Sequence, residues 1–332
     1  MSTEYTPFDA TDSSVYRLKF IVLVALEVPS LLASLIIFLH FASCRTVRAM
    51  DHQHSLFVLV IINCVQALTD VAAALDFYHS DGNVRVKTTA FCVWWTFADY
   101  ALFSTNASLM AWISVERHLL IFHRPLLGGA GTWQRWLLHV APWIFCPMSV
   151  SLFYTVTIII SPMCTSVWYS DSLLCGQPCY LETHWSSVDV FTTAVFPITV
   201  IVIANLALII RVLHQRATVA GRGRINWRNQ RRMVLQLSVI SVFYLAIWLP
   251  ILIIQLAQLY VDATFLASQL DTFIFIAYTG PLLLPFICMA LIPKLLKRLK
   301  SIVMPQKMAT VAPNTATNRR THPIANVKTC LE

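Results

Sequence analysis

The chain has 332 residues, 57% of them apolar and 12% charged, against the ~45–50% and ~25% usual in soluble globular domains. Together with a mean hydropathy of +0.66, this excludes a water-soluble domain. The net charge of +8 does not point to nucleic acid, because a nucleic-acid binder carries its basic residues on a polar surface.

A hydrocarbon layer of ~30 Å takes about 20 apolar residues of helix. In chain order such stretches occur at 18–42, 55–78, 91–116, 135–160, 188–213, 233–258 and 266–291. They are long Leu, Ile, Val and Phe runs without the short alternating pattern of barrel strands. The expected fold is an all-α membrane protein, a seven-transmembrane helix bundle. Pro29, Pro142, Pro147, Pro197, Pro250, Pro281 and Pro285 fall inside the spans, where a membrane bundle tolerates them.

Residues 1–17 precede the first span, and 18–291 form the bundle. Residues 292–304 read as an amphipathic membrane-surface helix: Leu295, Leu296, Leu299, Ile302 and Val303 share one face, while Lys294, Lys297, Arg298 and Lys300 share the other. Residues 305–332, rich in Pro, Thr and Asn, read as a disordered cytoplasmic tail. The alternating segments that begin at Arg45 hold 20 of the 24 Lys and Arg residues. The positive-inside rule makes them cytoplasmic and the N-terminus extracellular. No basic region followed by an apolar core precedes the first span, which is expected to act as the targeting signal.

Ionisable side chains inside spans are functional candidates because each is costly to bury in lipid. Four stand out: Asp70, Asp99, Glu116 and Arg117. The last two adjoin in Ser114-Val-Glu-Arg-His118, where a carboxylate can hold a guanidinium and release it. Alternatively, both snorkel to the interface. Of nine cysteines, Cys92, Cys164, Cys175 and Cys179 fall on the outer side, an oxidising location in which four cysteines allow three pairings. Cys44, Cys64, Cys146 and Cys288 read as small apolar fillers. No metal-ligand cluster, phosphate loop or hydrolase motif occurs, so neither a metal, a cofactor nor an enzyme activity is expected.

Cys92 lies 25 residues before Arg117, the sixth span contains Tyr244-Leu-Ala-Ile-Trp248-Leu-Pro250, and the seventh contains Leu284-Pro285-Phe-Ile-Cys288. In this order and spacing the chain resembles a rhodopsin-like (class A) G-protein-coupled receptor over about residues 18–303. Glu116-Arg117-His118 matches that family's D/E-R-Y/H motif, and Trp248 with Pro250 its C-W-x-P motif. Pro197 and Trp143 match its fifth-helix proline and fourth-helix tryptophan. The resemblance implies a G-protein coupling and activation switch at Glu116, Arg117, His118, Tyr244, Pro250 and Pro285. It implies a ligand-binding group at Asp99, Tyr278, Trp248, Trp95 and Gln255. Asp99 matches the carboxylate that pairs with cationic ligands, and Tyr278 a tyrosine that hydrogen-bonds it. Trp95 is a second candidate partner for Asp99, and a purely structural hydrogen bond is the other reading of that residue. Cys92 matches the family's disulfide cysteine. Cys92–Cys179 with Cys164–Cys175 is the preferred pairing because Cys179 is nearest the fifth span, and Cys92–Cys175 is the alternative.

The chain also departs from the family pattern. The seventh-helix motif lacks its Asn and Tyr, Asn205 replaces a fifth-helix Tyr, and Ser34 or Leu35 a first-helix Asn. Asn63 stands at the second-helix Asp, with Asp70 two turns further out. Gln230 replaces the acid at the base of the sixth helix. The expected protein is a plasma-membrane, multi-pass receptor. It would pass the binding of an extracellular cationic small molecule or peptide to a heterotrimeric G protein, with the bilayer as its third partner. The alternatives are a transporter or channel using Asp70 and Asp99, and a signalling-silent decoy receptor.

Overall fold

The computed structural model describes residues 10–43, 51–122, 140–161, 164–218, 224–262 and 264–291. Within them the chain runs through seven long helices. Helix α1 is Ala10–Ser43, and α2 comprises Asp51–Gln66, a π-helical turn Ala67–Val71 and Ala72–His79. Helix α3 is Thr89–Phe122, and α4 is Ala141–Tyr154 continued by the π-helical Thr155–Ile160. Helix α5 comprises Trp185–Asp189, the π-helical Val190–Val195 and Phe196–Thr218. Helices α6 and α7 are Arg224–Tyr260 and Ala267–Leu291. Each apolar run of the sequence falls on one of these helices. Helix α1 starts eight residues earlier than hydropathy places it, because its polar first turns are anchored by Ser13, which donates to Asp81 at 3.0 Å. The segments 1–9, 292–304 and 305–332 lie outside the described residues.

The distribution of side chains is that of a protein dissolved in lipid. Large apolar residues face outward along α1 (Leu18, Ile21, Val28, Leu32, Leu35 and Leu39), whereas Asn63, Gln66, Asp70, Thr96, Asn106 and Asn205 are buried. In water such an apolar exterior would aggregate, and in a bilayer it is the favoured surface while backbone and side-chain polar groups are satisfied inside. Six of the helices are long and apolar enough to cross a membrane, α3 not among them. Helix α3 instead touches α2, α4, α5 and α6. Its buried Thr96, Asp99, Ser104, Asn106, Ser114, Glu116 and Arg117 face protein, which removes the need for an apolar surface.

Helix α1 packs on α2 and α7, and α6 lies between α5 and α7. At one end, Lys19 of α1 pairs with Asp271 of α7, and its ammonium sits over the rings of Tyr78 and Phe275 at 5.4 and 5.6 Å, adding cation–π attraction to the ion pair. The turn after α2 needs Gly82: φ is +80°, and a Cβ there would meet the Tyr16 ring at 2.8 Å. The same end carries the disulfides, which correct the preferred pairing: Cys92 bonds Cys175 and Cys164 bonds Cys179. Proximity to the fifth span did not decide it. The turn Leu173–Cys175 enters the bundle beside α3 and brings Cys175 to Cys92, leaving Cys179 to close a short loop.

Candidate functional site

Helix α3 is uninterrupted between Asp99 and Arg117. Eighteen residues at 3.6 per turn put them on one face, about 27 Å apart along the axis. The candidate site therefore has two ends, and the structure supplies the connection between them.

At the disulfide end, Asp99 is 7% exposed and accepts the Tyr278 hydroxyl at 3.2 Å, joining α3 to α7. Trp95 does not serve Asp99. Its indole N–H donates to Asp70 Oδ1 at 3.1 Å, while Gln66 reaches Asp70 Oδ2 at 3.4 Å. Asp70, fully buried, sits in the π-helical turn of α2, in the neighbourhood of Asp99. The chain of polar contacts continues inward. Asn106 donates to Gln66 at 2.7 Å, and Asn63 donates to Asn106 at 2.9 Å. Two helices are thus joined by three side-chain amides and the Asp70 acid, each link worth about 0.6–2 kcal/mol within a membrane bundle. Gln255 is exposed on α6, and no described hydrogen bond joins it to the Asp99 group.

This geometry gives an expected result for Trp95→Phe. It leaves one lobe of the buried Asp70 carboxyl without its donor, a loss of about 1–3 kcal/mol, and the purified protein should melt several degrees lower. An unchanged melting temperature in detergent would mean that Trp95 contributes packing alone.

From Tyr278 the connection toward the opposite end is aromatic. The Phe103 ring lies 5.9 Å from Tyr278 and 5.0 Å edge-on from Trp248, and Tyr244 stacks on Trp248 at 5.9 Å. Beneath Trp248 lies a small cavity lined by Asn63, Asn106, Tyr244, Trp248 and Pro281. The Tyr244 hydroxyl is buried with no hydrogen-bond partner among the described residues. Pro250 lies within α6 two residues after Trp248, and Pro285 is buried in α7.

At the far end, Glu116 and Arg117 are 2% and 3% exposed, so neither snorkels to an interface. Ser55 of α2 donates to Glu116 Oε2, and His118 is half-buried. Nearby, Asn205 replaces the expected phenol with an amide that ties three helices. It donates to Ser241 at 3.1 Å on α6 and to the Ile201 carbonyl at 2.7 Å, and approaches Ser114 of α3 at 3.4 Å. Of the two first-helix candidates, Ser34 is buried and Leu35 exposed. The side chain of Gln230 lies outside the described residues.

A further buried acid, Asp189, was not among the candidates that the sequence offered. Its carboxylate accepts Tyr154 at 2.7 Å, Tyr180 at 2.9 Å and Thr193 at 3.0 Å, clasping α4, the loop before α5 and α5 itself. Ser104 of α3 joins through Tyr154 at 2.9 Å. Ser55 and Thr96 were missed too. Single hydroxyls carry no spacing signal.

Fold and polar core together define a multi-pass helical membrane protein built around an acid-bearing third helix. A family model described as "7 transmembrane receptor (rhodopsin family)" matches residues 56–288. The chain belongs to that rhodopsin-like family of G-protein-coupled receptors. No curated protein matches it.

Proposed function

We propose that the protein is a plasma-membrane receptor, with its N-terminus and disulfides outside, that transmits binding of a cationic peptide or amine to a heterotrimeric G protein. The observation that carries this reading is the Tyr278–Asp99 hydrogen bond, continuous through Phe103 with Trp248 on α6. A carboxylate held by a phenol in a buried setting favours an ammonium or guanidinium through a charge-assisted pair. Pairing at Asp99 shifts Tyr278 and Phe103 and repacks Trp248 above the cavity. The inner end of α6 then swings about Pro250, separating Ser241 from Asn205 and exposing Arg117. A ligand drives this change only by binding the open arrangement more tightly.

The test is nucleotide exchange in cells expressing the chain, challenged with pooled biogenic amines and short basic peptides. Asp99→Asn keeps the shape and the Tyr278 contact but removes the charge. At equal surface density its potency should fall about 100-fold, as expected for losing a desolvated ion pair worth about 3 kcal/mol. A response unchanged in Asp99→Asn removes the salt bridge from the mechanism. One observation favours a second reading, a cation transporter: two buried acids, Asp70 and Asp99, lie near each other inside the bundle. It predicts uptake abolished by Asp70→Asn.

A further inference from the structure

The disulfide end of the bundle holds a buried charge of opposite sign to Asp99. Lys19 on α1 is, among the described residues, the one buried Lys or Arg at that end. Its ammonium pairs with Asp271 of α7 and lies over the Tyr78 and Phe275 rings at 5.4 and 5.6 Å. The pair is lopsided, since the Lys19 side chain is 10% exposed and that of Asp271 45%. The carboxylate can leave for water while the ammonium stays enclosed, and an enclosed ammonium without an anion is strongly disfavoured. Tyr78 beside it is fully buried, and its hydroxyl has no hydrogen-bond partner among the described residues. A phenolic hydroxyl can donate to a carboxylate.

Helix α7 links this charge to Asp99. Asp271, Phe275 and Tyr278 follow at spacings of four and three residues in one helix, which puts them on a single face. The first holds Lys19, the second lies under the ammonium, and the third donates to Asp99. Seven residues at about 1.5 Å each separate the two ends of that stripe by about 10 Å along the axis. An extended peptide advances about 3.3 Å per residue, so about three residues span the distance. The wall between the ends is aromatic: Tyr78 meets Phe275 edge-on at 5.9 Å, and Phe77 lies 5.5 Å from Tyr78 and 6.2 Å from Trp95.

We propose that Lys19 and Tyr78 form an anion subsite of the ligand pocket, and that the ligand is a short zwitterionic peptide whose cation pairs with Asp99 while its free C-terminal carboxylate displaces Asp271 from Lys19. The inference deepens the receptor reading and rests on it for the cation at Asp99. The displacement exchanges one carboxylate for another. Lys19 is already desolvated and oriented, which lowers the cost of binding, and Asp271 regains water.

The experiment presents the full chain with tripeptides that begin with Lys or Arg, each made with a free C-terminal carboxylate and as the C-terminal amide. Nucleotide exchange is read in cells at matched surface density, and the melting temperature is read on the purified protein. The carboxylates should be at least about tenfold more potent than their amides. Lys19→Met keeps the length of the side chain and removes its charge, so it should abolish that preference and leave the potency of the amides nearly unchanged. Asp271→Asn removes the competing carboxylate and should widen the preference severalfold, whereas a pair that only held α1 to α7 would weaken both forms alike. Equal potency of carboxylates and amides overturns the proposal, as does a tripeptide set that neither raises the melting temperature nor stimulates exchange in either form. A rise in melting temperature selective for the carboxylates and lost in Lys19→Met, without any exchange, upholds the subsite and counts against the receptor reading instead. If Lys19→Met fails to reach the surface, Asp271→Asn decides alone, and an unchanged or narrower preference there overturns the proposal equally.

Discussion

Cys92→Ser should reduce the protein at the cell surface tenfold or more, whereas Cys164→Ser should leave a substantial fraction. The difference follows from the length of chain each bond closes. Cys92 and Cys175 are 83 residues apart, Cys164 and Cys179 only 15. The chain-entropy argument assigns the first crosslink about 4–5 kcal/mol and the second about 3. The longer link also fixes a loop whose own backbone is unfavourable: two consecutive non-glycine residues at positive φ cost about 1–3 kcal/mol each unless held. Against a total stability of only about 5–15 kcal/mol, the first loss is decisive. Flow cytometry of an N-terminally tagged chain measures it. Equal surface levels for the two variants would mean that the loop is held by its hydrogen bonds rather than by the crosslink to α3.

The second large effect is a pair of opposite results from adjacent residues. Arg117→Ala should lower stimulated nucleotide exchange at least tenfold at equal surface density, since it deletes the cation that the open inner end would present to the G protein. Glu116→Gln should raise ligand-free exchange severalfold. The hydroxyl of Ser55 now bonds a carboxylate, and an ionised acceptor makes a hydrogen bond roughly twice as strong as a neutral one. Removing the charge weakens the closed arrangement by about 1 kcal/mol, a shift of about fivefold in a two-state equilibrium. If both variants fall together, the two residues act as one structural unit and the release of Arg117 from Glu116 is not the switch.

Legibility in the sequence depended on helical regularity. Helix α3 is unbroken, so counting back from Arg117 located Asp99, and its contact with Tyr278 is as expected. Six of the apolar runs were legible because lipid-facing residues must be apolar whatever the protein does. Asp70 and Asp189, by contrast, sit at breaks in regularity. Asp70 lies within the π-helical turn Ala67–Val71, and Asp189 immediately precedes Val190–Val195. A π turn inserts a residue and rotates the rest of the helix by about 100°, so 3.6-residue spacing no longer reports which way a side chain faces. Trp95 could therefore be paired with Asp99 on paper, whereas it serves Asp70. The Asp189 clasp unites residues as far apart as Ser104, Tyr154 and Asp189, a contact between distant segments with no local pattern to betray it. The disulfide pairing failed similarly, because it depends on a turn that enters the bundle and not on distance along the chain.

In the proposed mechanism a cation bound beside Asp99 drives nucleotide exchange on a G protein. The most direct measurement of this records exchange and membrane current together, in cells expressing the chain and exposed to pooled biogenic amines and short basic peptides. The predicted result is stimulated exchange, lost in Asp99→Asn, with no current. A current or cation uptake abolished by Asp70→Asn, without any nucleotide exchange, would contradict it.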